Sequence, residues 1–172
     1  MANAAMASRV ENDNVLVLER VFDAPRNLVF SMFKDAEHLK RWWGPRGWEL
    51  PYCTVDFRVG GTWLYCMKCE DKNQVNFYGM ESWGKAIYQE IVEPEKIVCL
   101  DYFCNAEGQE NPDMPSTKVT LSFSEQGGKT KLVSRGEYVS AEALETVMKM
   151  GMLEGITQTW DRLEERLAAV QA

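Results

Sequence analysis

The stretch that decides the fold is SAEALETVMKMGMLEGITQTWDRLEERLAA, residues 140–169. Ser140 has the side chain of a helix N-cap, and no proline follows Pro115 to interrupt a helix. We therefore predict one continuous helix over this stretch, roughly 40 Å long at about 1.5 Å per residue. Mostly apolar residues recur along it at helical spacing and form a single stripe: Leu144, Val147, Met148, Met152, Ile156, Thr159, Trp160, Leu163 and Leu167.

The region before this helix has the composition of β-strands. Segments rich in β-branched and aromatic residues alternate with short turn clusters, and they predict seven strands at about 14–22, 48–57, 61–69, 75–91, 96–104, 116–125 and 129–138. Turns this short join antiparallel neighbours, because a parallel crossover needs a dozen or more residues. Two short helices, at about 25–33 and 36–42, follow the first strand.

Together these elements predict an α+β fold, in which a curved seven-stranded antiparallel sheet wraps around the long C-terminal helix. Such a sheet is wider than one helix can fill, so we expect a cavity between the two. We assign residues 15–170 to this single domain. Residues 1–14 are small and polar, and we expect them to form a flexible lead-in.

Charge and composition exclude several classes of function. The net charge at pH 7 is −7, with no run of Lys and Arg, which disfavours binding to nucleic acid or to anionic membranes. No apolar stretch is long enough to span a bilayer, and the N-terminus does not resemble a secretory signal. The odd number of cysteines, five, favours free thiols in a reducing cytoplasm.

Aromatic and thioether side chains are the candidate ligand-binding residues. In the predicted strand 61–69, Trp63, Tyr65 and Met67 share the face opposite Lys68, and we expect that face to point inward. With the neighbouring strand, the Trp-Trp-Gly-Pro segment and the last helix, they give a predicted site of Trp43, Trp63, Tyr65, Met67, Met80, Trp83, Met148, Met152 and Ile156. Gly151 and Gly155 interrupt the helix, either for close backbone approach to the sheet or to leave volume for a ligand.

No residue pattern assigns a catalytic centre, a metal or a cofactor. Cys66 and Cys69 resemble a metal or redox pair, but residues three apart on a strand point to opposite faces. The only histidine, His38, lies on a short helix and is expected to face solvent. Arg20 is expected to point inward, where it either holds a ligand carboxylate or pairs with an internal acid such as Asp56 or Glu137.

Three segments carry a resemblance to a known family: RVFDAPRNLVF at 20–30, HLKRWWGP at 38–45 and DFRVGGTW at 56–63. They resemble the prokaryotic homologues of the activator of the heat-shock-protein-90 ATPase, which belong to the START-like (SRPBCC) helix-grip superfamily. The similarity covers about residues 15–168. It implies the helix-grip fold with a cavity between sheet and helix, and it implies no particular activity.

Three functions follow as hypotheses. The first is binding or carriage of a small apolar or aromatic ligand by the internal cavity. The second is an enzyme of the cyclase, dehydratase or hydrolase type, which would be marked by a carboxylate or tyrosine of strongly perturbed pKa inside the cavity. The third, suggested by the resemblance, is an interaction module for a chaperone ATPase. A monomer and a homodimer are both compatible with the sequence.

Overall fold

A computed structural model describes residues 6–172 and contains one antiparallel sheet of eight strands in the order β1-β2-β8-β7-β6-β5-β4-β3. The strands are β1 (Ala7–Glu11), β2 (Val15–Phe22), β3 (Trp48–Val55), β4 (Thr62–Cys69), β5 (Glu81–Val92), β6 (Lys96–Cys104), β7 (Thr117–Gln126) and β8 (Lys129–Tyr138). The helices are α1 (Arg26–Lys34), α2 (Ala36–Trp42), α3 (Ala141–Lys149) and α4 (Met152–Gln171). The α+β class and the antiparallel pairing are confirmed.

The predicted number of seven strands is wrong, because β1 lies in the segment that we expected to be a flexible lead-in. It pairs with β2 through a tight turn in which Asn12 and Asp13 have positive φ angles of 51° and 66°. Asn and Asp tolerate this left-handed conformation better than other non-glycine residues. The first five residues of the predicted lead-in lie outside the described part of the chain.

The C-terminal helix is also not continuous as predicted. It ends at Lys149, passes through Met150, and begins again at Met152 after Gly151, which has a φ of 84°. A left-handed φ cannot be part of an α-helix, so Gly151 separates α3 from α4. The predicted N-cap is confirmed, since the Ser140 hydroxyl accepts a hydrogen bond from the backbone N–H of Ala143 at 3.1 Å.

The stripe predicted on this segment does face the protein interior. Thr159, Trp160, Leu163 and Leu167 of α4 are buried. The three apolar ones belong to one hydrophobic core with residues of the concave face of the sheet and of α1 and α2. Trp42 closes the end of that core. It is fully buried, and its indole N–H donates to the carbonyl of Met32 at 3.1 Å.

Arg20 points inward as predicted, but its partners differ from those proposed. Its two terminal nitrogens bond Asp161 Oδ1 at 2.6 Å and Glu164 Oε2 at 2.8 Å, both on α4. The internal ion pair is therefore confirmed, while Asp56 and Glu137 take no part in it. The pair fastens β2, the second strand from one edge of the sheet, to helix α4.

The two cysteines of β4 and the histidine have structural roles within residues 6–172. Cys66 and Cys69 are both buried free thiols on β4, and no group of three or more His, Cys, Asp or Glu side chains could hold a metal. His38 is half-buried, with Nδ1 at 3.4 Å from Arg166 Nη2. No helix in this part of the chain is long and apolar enough to cross a membrane.

Candidate functional site

A cavity of about 390 Å³ lies between the concave face of the sheet and helices α3 and α4. Small-molecule sites in proteins commonly have volumes of about 300–1,000 Å³ and are mostly apolar. The rim includes exposed apolar side chains of Phe77, Met80 and Met150, between 47% and 56% accessible. The cavity is therefore large enough for a small molecule and is reached past an apolar rim.

The floor of the cavity is set by the strand register. Tyr65 on β4 is paired with Gly84 on β5, which is paired with Phe103 on β6. A Cβ atom at Gly84 would lie only 2.5 Å from both Cζ and the hydroxyl oxygen of Tyr65. Glycine at this position thus allows the Tyr65 ring to lie across the neighbouring strand.

The roof is formed by the broken helix. Met152 and Ile156 lie on α4 and contribute apolar surface, with Gly155 between them. A methyl group at Gly155 would make only one contact closer than 4 Å, with Pro45 Cγ at 3.6 Å. The absent side chain at Gly155 therefore leaves volume beside the cavity, whereas Gly151 is explained by the helix break.

One wall is the segment after α2, which the partly buried Arg162 holds in place. Arg162 Nη1 donates to the carbonyl oxygen of Gly44 at 2.9 Å and to that of Trp48 at 3.1 Å. Burial lowers the pKa of Arg162, and backbone carbonyls satisfy its guanidinium in place of an acid. Trp43, on this segment, lines the cavity and packs on Trp63 with ring centroids 4.7 Å apart.

Among the described residues, Asp101 is the one carboxylate in the cavity wall. It lies on β6 with Thr117 of β7 beside it, and Thr117 is paired in turn with Tyr138 of β8. Asp101 is partly buried, and its side chain keeps solvent contact through the cavity. Burial raises the pKa of Asp101 to about 7.

Two phenols lie near this carboxylate. Burial raises the pKa of Tyr65, and the charge of Asp101 raises it further. The pKa of Tyr138 is also raised, again mainly by burial with a contribution from Asp101. An ionisable acid with two neutral phenols beside it in an apolar cavity can bind a polar group or transfer a proton.

Residues 23–168 match the family described as Activator of Hsp90 ATPase homolog 1-like protein. The chain belongs to this family. The match covers most of the sequence, including α1, α2, the cavity residues and nearly all of α4. No match was found among curated proteins.

Solved structures show that this AHSA1-like chain has the family's fold. It is similar to a protein of Mycobacterium smegmatis, with 26% identity, a TM-score of 0.82, and coverage of 94% of this chain and 95% of that one. A Staphylococcus epidermidis protein is similar at 27% identity, a TM-score of 0.78 and 93% coverage of each chain. An Arthrobacter aurescens protein shares the fold at 23% identity and a TM-score of 0.84, covering 95% of this chain and 91% of that one.

The structure brings most of the predicted site residues of the AHSA1-like chain to the cavity. Those in its lining are Trp43, Tyr65, Met67, Met80, Trp83, Met152 and Ile156. Trp63 lies outside it and packs behind Trp43, and Met148 packs against the core.

Trp83 borders the cavity, but its ring does not join the inward aromatic face. It is paired with Cys66, and its ring packs on Tyr52 with centroids 5.5 Å apart. Both partners belong to the face opposite Tyr65. The prediction grouped Trp83 of the neighbouring strand with the inward aromatic residues, whereas the register places Gly84 on that face.

Sequence reasoning missed the polar residues of the AHSA1-like cavity, above all Asp101. A signal was present, because Asp101 alternates with Ile97, Cys99 and Phe103 and so shares their face of β6. The intervening residues of this strand are also largely apolar, so alternation did not show which face is inward. Thr117 and Tyr138 are at strand ends, where a sequence gives least information about orientation.

Proposed function

We propose that this chain binds a small, largely apolar or aromatic molecule in the cavity between the sheet and helices α3 and α4. The observation that carries the proposal is the cavity of about 390 Å³, whose wall is mostly apolar and includes a few polar side chains, among them Asp101, Thr117 and Tyr138. That combination is typical of small-molecule sites, in which apolar surface gives affinity and a few polar groups fix orientation. The exposed apolar rim supports entry of such a molecule from solvent.

The test uses a neutral fluorescent probe, N-phenyl-1-naphthylamine, whose emission rises in apolar surroundings. We expect saturable binding to the wild-type chain and loss of binding in Ile156→Trp, which places an indole in the cavity. Glu154→Trp is the matched control, because Glu154 is an exposed position of the same helix. Absence of saturable binding to the wild type, or equal binding to both variants, would contradict the proposal.

A proton-transfer enzyme is the second candidate function, and Asp101 is the observation that favours it. A general acid or base works best when its pKa lies near the working pH. Burial raises the pKa of Asp101 to about 7. Its test is hydrogen exchange in D₂O at carbon atoms next to the carbonyl of bound ketones. Exchange that Asp101→Asn abolishes would support this candidate, and an equal rate with and without protein would refute it.

An action on a chaperone ATPase is a separate proposal that the family description supports. It predicts that adding this chain changes the ATP hydrolysis rate of the Hsp90 from the same cell. An unchanged rate, with the chain in excess over the chaperone, would count against it.

A further inference from the structure

We propose that Asp101 recognises the polar end of the ligand, and that it selects a hydroxyl or a protonated amine and rejects a carboxylate. This inference rests on the proposed binding function and specifies the chemical class of ligand. Asp101 would then determine which way an otherwise apolar ligand is oriented in the cavity.

The first step is the unpaired state of Asp101. Within residues 6–172 its carboxylate makes no hydrogen bond and no salt bridge to another side chain or to the backbone. A carboxylate in a mostly apolar wall loses part of its hydration, and such groups are ordinarily paired or hydrogen-bonded in compensation. In this cavity the group is available to a ligand.

The second step is that the nearby cations are occupied elsewhere. The buried Arg20 is bonded to acids of α4, and the partly buried Arg162 is bonded to the carbonyls after α2. Lys85, on the strand next to Asp101, donates to the carbonyl of Gly108 at 2.6 Å. In the described part of the chain no cation is paired with Asp101, so a ligand cation or donor has no competitor from the protein.

The third step is the chemistry of the remaining wall. The titratable side chains in the cavity lining are Tyr65 of β4, Asp101 and Tyr102 of β6, and Tyr138 of β8. The lining residues of β5, β7, α3 and α4 include none that titrates near neutral pH. A ligand carboxylate would therefore bring a second negative charge with no positive charge to balance it, whereas a hydroxyl or ammonium donates directly to Asp101.

The experiment compares four naphthalenes that differ at one substituent: 2-naphthol, 2-methoxynaphthalene, 2-(aminomethyl)naphthalene and 2-naphthoate. Each displaces N-phenyl-1-naphthylamine from the wild-type chain at pH 8, where Asp101 is mostly ionised. A hydrogen bond to a charged group makes binding about tenfold to a hundredfold tighter. We therefore expect naphthol and the amine to bind at least about tenfold tighter than the methoxy compound, with naphthoate the weakest.

The matched variants are Asp101→Asn, which removes the charge and keeps the shape, and Asp113→Asn at an exposed loop position. Asp101→Asn is expected to abolish the advantage of the amine and to improve binding of naphthoate, while Asp113→Asn keeps the wild-type order. Binding of the fluorescent probe to Asp101→Asn shows that the variant retains its cavity.

The outcomes separate this inference from the function on which it rests. If the probe binds and the four naphthalenes displace it equally well, the cavity binds ligands but Asp101 does not select them, and the inference is overturned. If the order of the four is unchanged in Asp101→Asn, it is overturned as well. If no probe binds at all, the proposed function itself fails.

Discussion

The ring of Tyr65 occupies the space that a side chain at Gly84 would fill, since a Cβ atom there would lie 2.5 Å from Tyr65 Cζ. The two residues are directly paired between β4 and β5. The position of the Tyr65 hydroxyl in the cavity floor therefore depends on the absence of one carbon atom on the next strand.

Gly84→Ala is expected to destabilise the protein by about 1–3 kcal/mol, the usual cost of overpacking a filled core. The Tyr65 ring must move, and it is held on one side by Trp43 with ring centroids 5.8 Å apart. Urea unfolding of the variant measures the cost. When Tyr65 is already leucine, Gly84→Ala should cost much less in the free energy of unfolding. If the double variant Gly84→Ala/Tyr65→Leu loses the sum of the two single losses, the alanine does not conflict with the tyrosine ring.

In the ion pair of Arg20, we expect removal of the acids to cost more stability than removal of the arginine. The Arg20 side chain is 1% exposed, whereas those of Asp161 and Glu164 are 33% and 17% exposed. Removing both acids, as Asp161→Asn/Glu164→Gln, leaves a buried charge without a counter-charge and should cost about 3–5 kcal/mol in the free energy of unfolding.

Arg20→Met is the comparison for that double variant. It leaves two acids that still reach water, so we expect it to cost clearly less than the double variant. Chemical denaturation at neutral pH provides both values. A larger loss for Arg20→Met would mean that the two acids left without a counter-charge cost more than the buried guanidinium does.

The raised pKa of Asp101 predicts that the free energy of unfolding declines as the pH rises. Its pKa in the folded protein is about 7, whereas an unfolded Asp has a pKa of about 3.9. The folded state thus holds a proton more tightly, and its stability falls as the pH rises from about 4 to about 7 and then stays level. The difference between the two pKa values corresponds to at most about 4 kcal/mol.

Asp101→Asn removes this dependence and should be more stable than the wild type at pH 8. Urea unfolding of both proteins at pH 5 and pH 8 measures the effect, and Asp113→Asn serves as a control with an exposed acid. If the free energy of unfolding changes equally with pH in the wild type and in Asp101→Asn, Asp101 is ionised at no cost in the folded protein.

The two glycines of the last helical segment predict opposite effects of alanine. Gly151 has a φ of 84°, so Gly151→Ala places an L side chain in a left-handed conformation at a cost of about 1–2 kcal/mol. Gly155 has helical neighbours and room for a methyl group. Gly155→Ala should therefore gain up to about 1 kcal/mol in stability, and it should weaken probe binding by narrowing the cavity.

Thermal melts and probe titrations of these two variants test both statements. A gain in stability for Gly151→Ala would show that α3 and α4 can join into one helix, as the sequence alone had predicted. A loss for Gly155→Ala would show that α4 approaches Pro45 more closely than a methyl group permits.

The regular parts of the fold were predictable because local patterns specify them. Alternation in β4 placed Tyr65 and Met67 on the inward face, and helical spacing in α4 placed Trp160 and Leu163 in the core. The N-cap at Ser140 was equally readable, because a short polar side chain before an apolar run satisfies free backbone N–H groups.

The errors lie where a residue's state depends on partners far away in the chain. A glycine within a helical pattern indicates either a break in the helix or a missing side chain that leaves space. Gly151 is the first case and Gly155, four residues later, is the second. The direction of Trp83 depends on where β5 starts relative to β4. The hairpin of β1 was missed because its short polar residues resemble those of a disordered terminus.

The sequence by itself determined the α+β class, the antiparallel order of most strands and the amphipathic C-terminal segment, since each follows from spacing between neighbours in the chain. Only the tertiary structure decided which acids neutralise Arg20 and which acid remains without a partner. The reason is physical: pairing of a buried charge depends on which groups the folded chain brings within hydrogen-bonding distance. Asp161 and Glu164 come from α4 to reach Arg20, whereas among residues 6–172 no charged partner reaches Asp101.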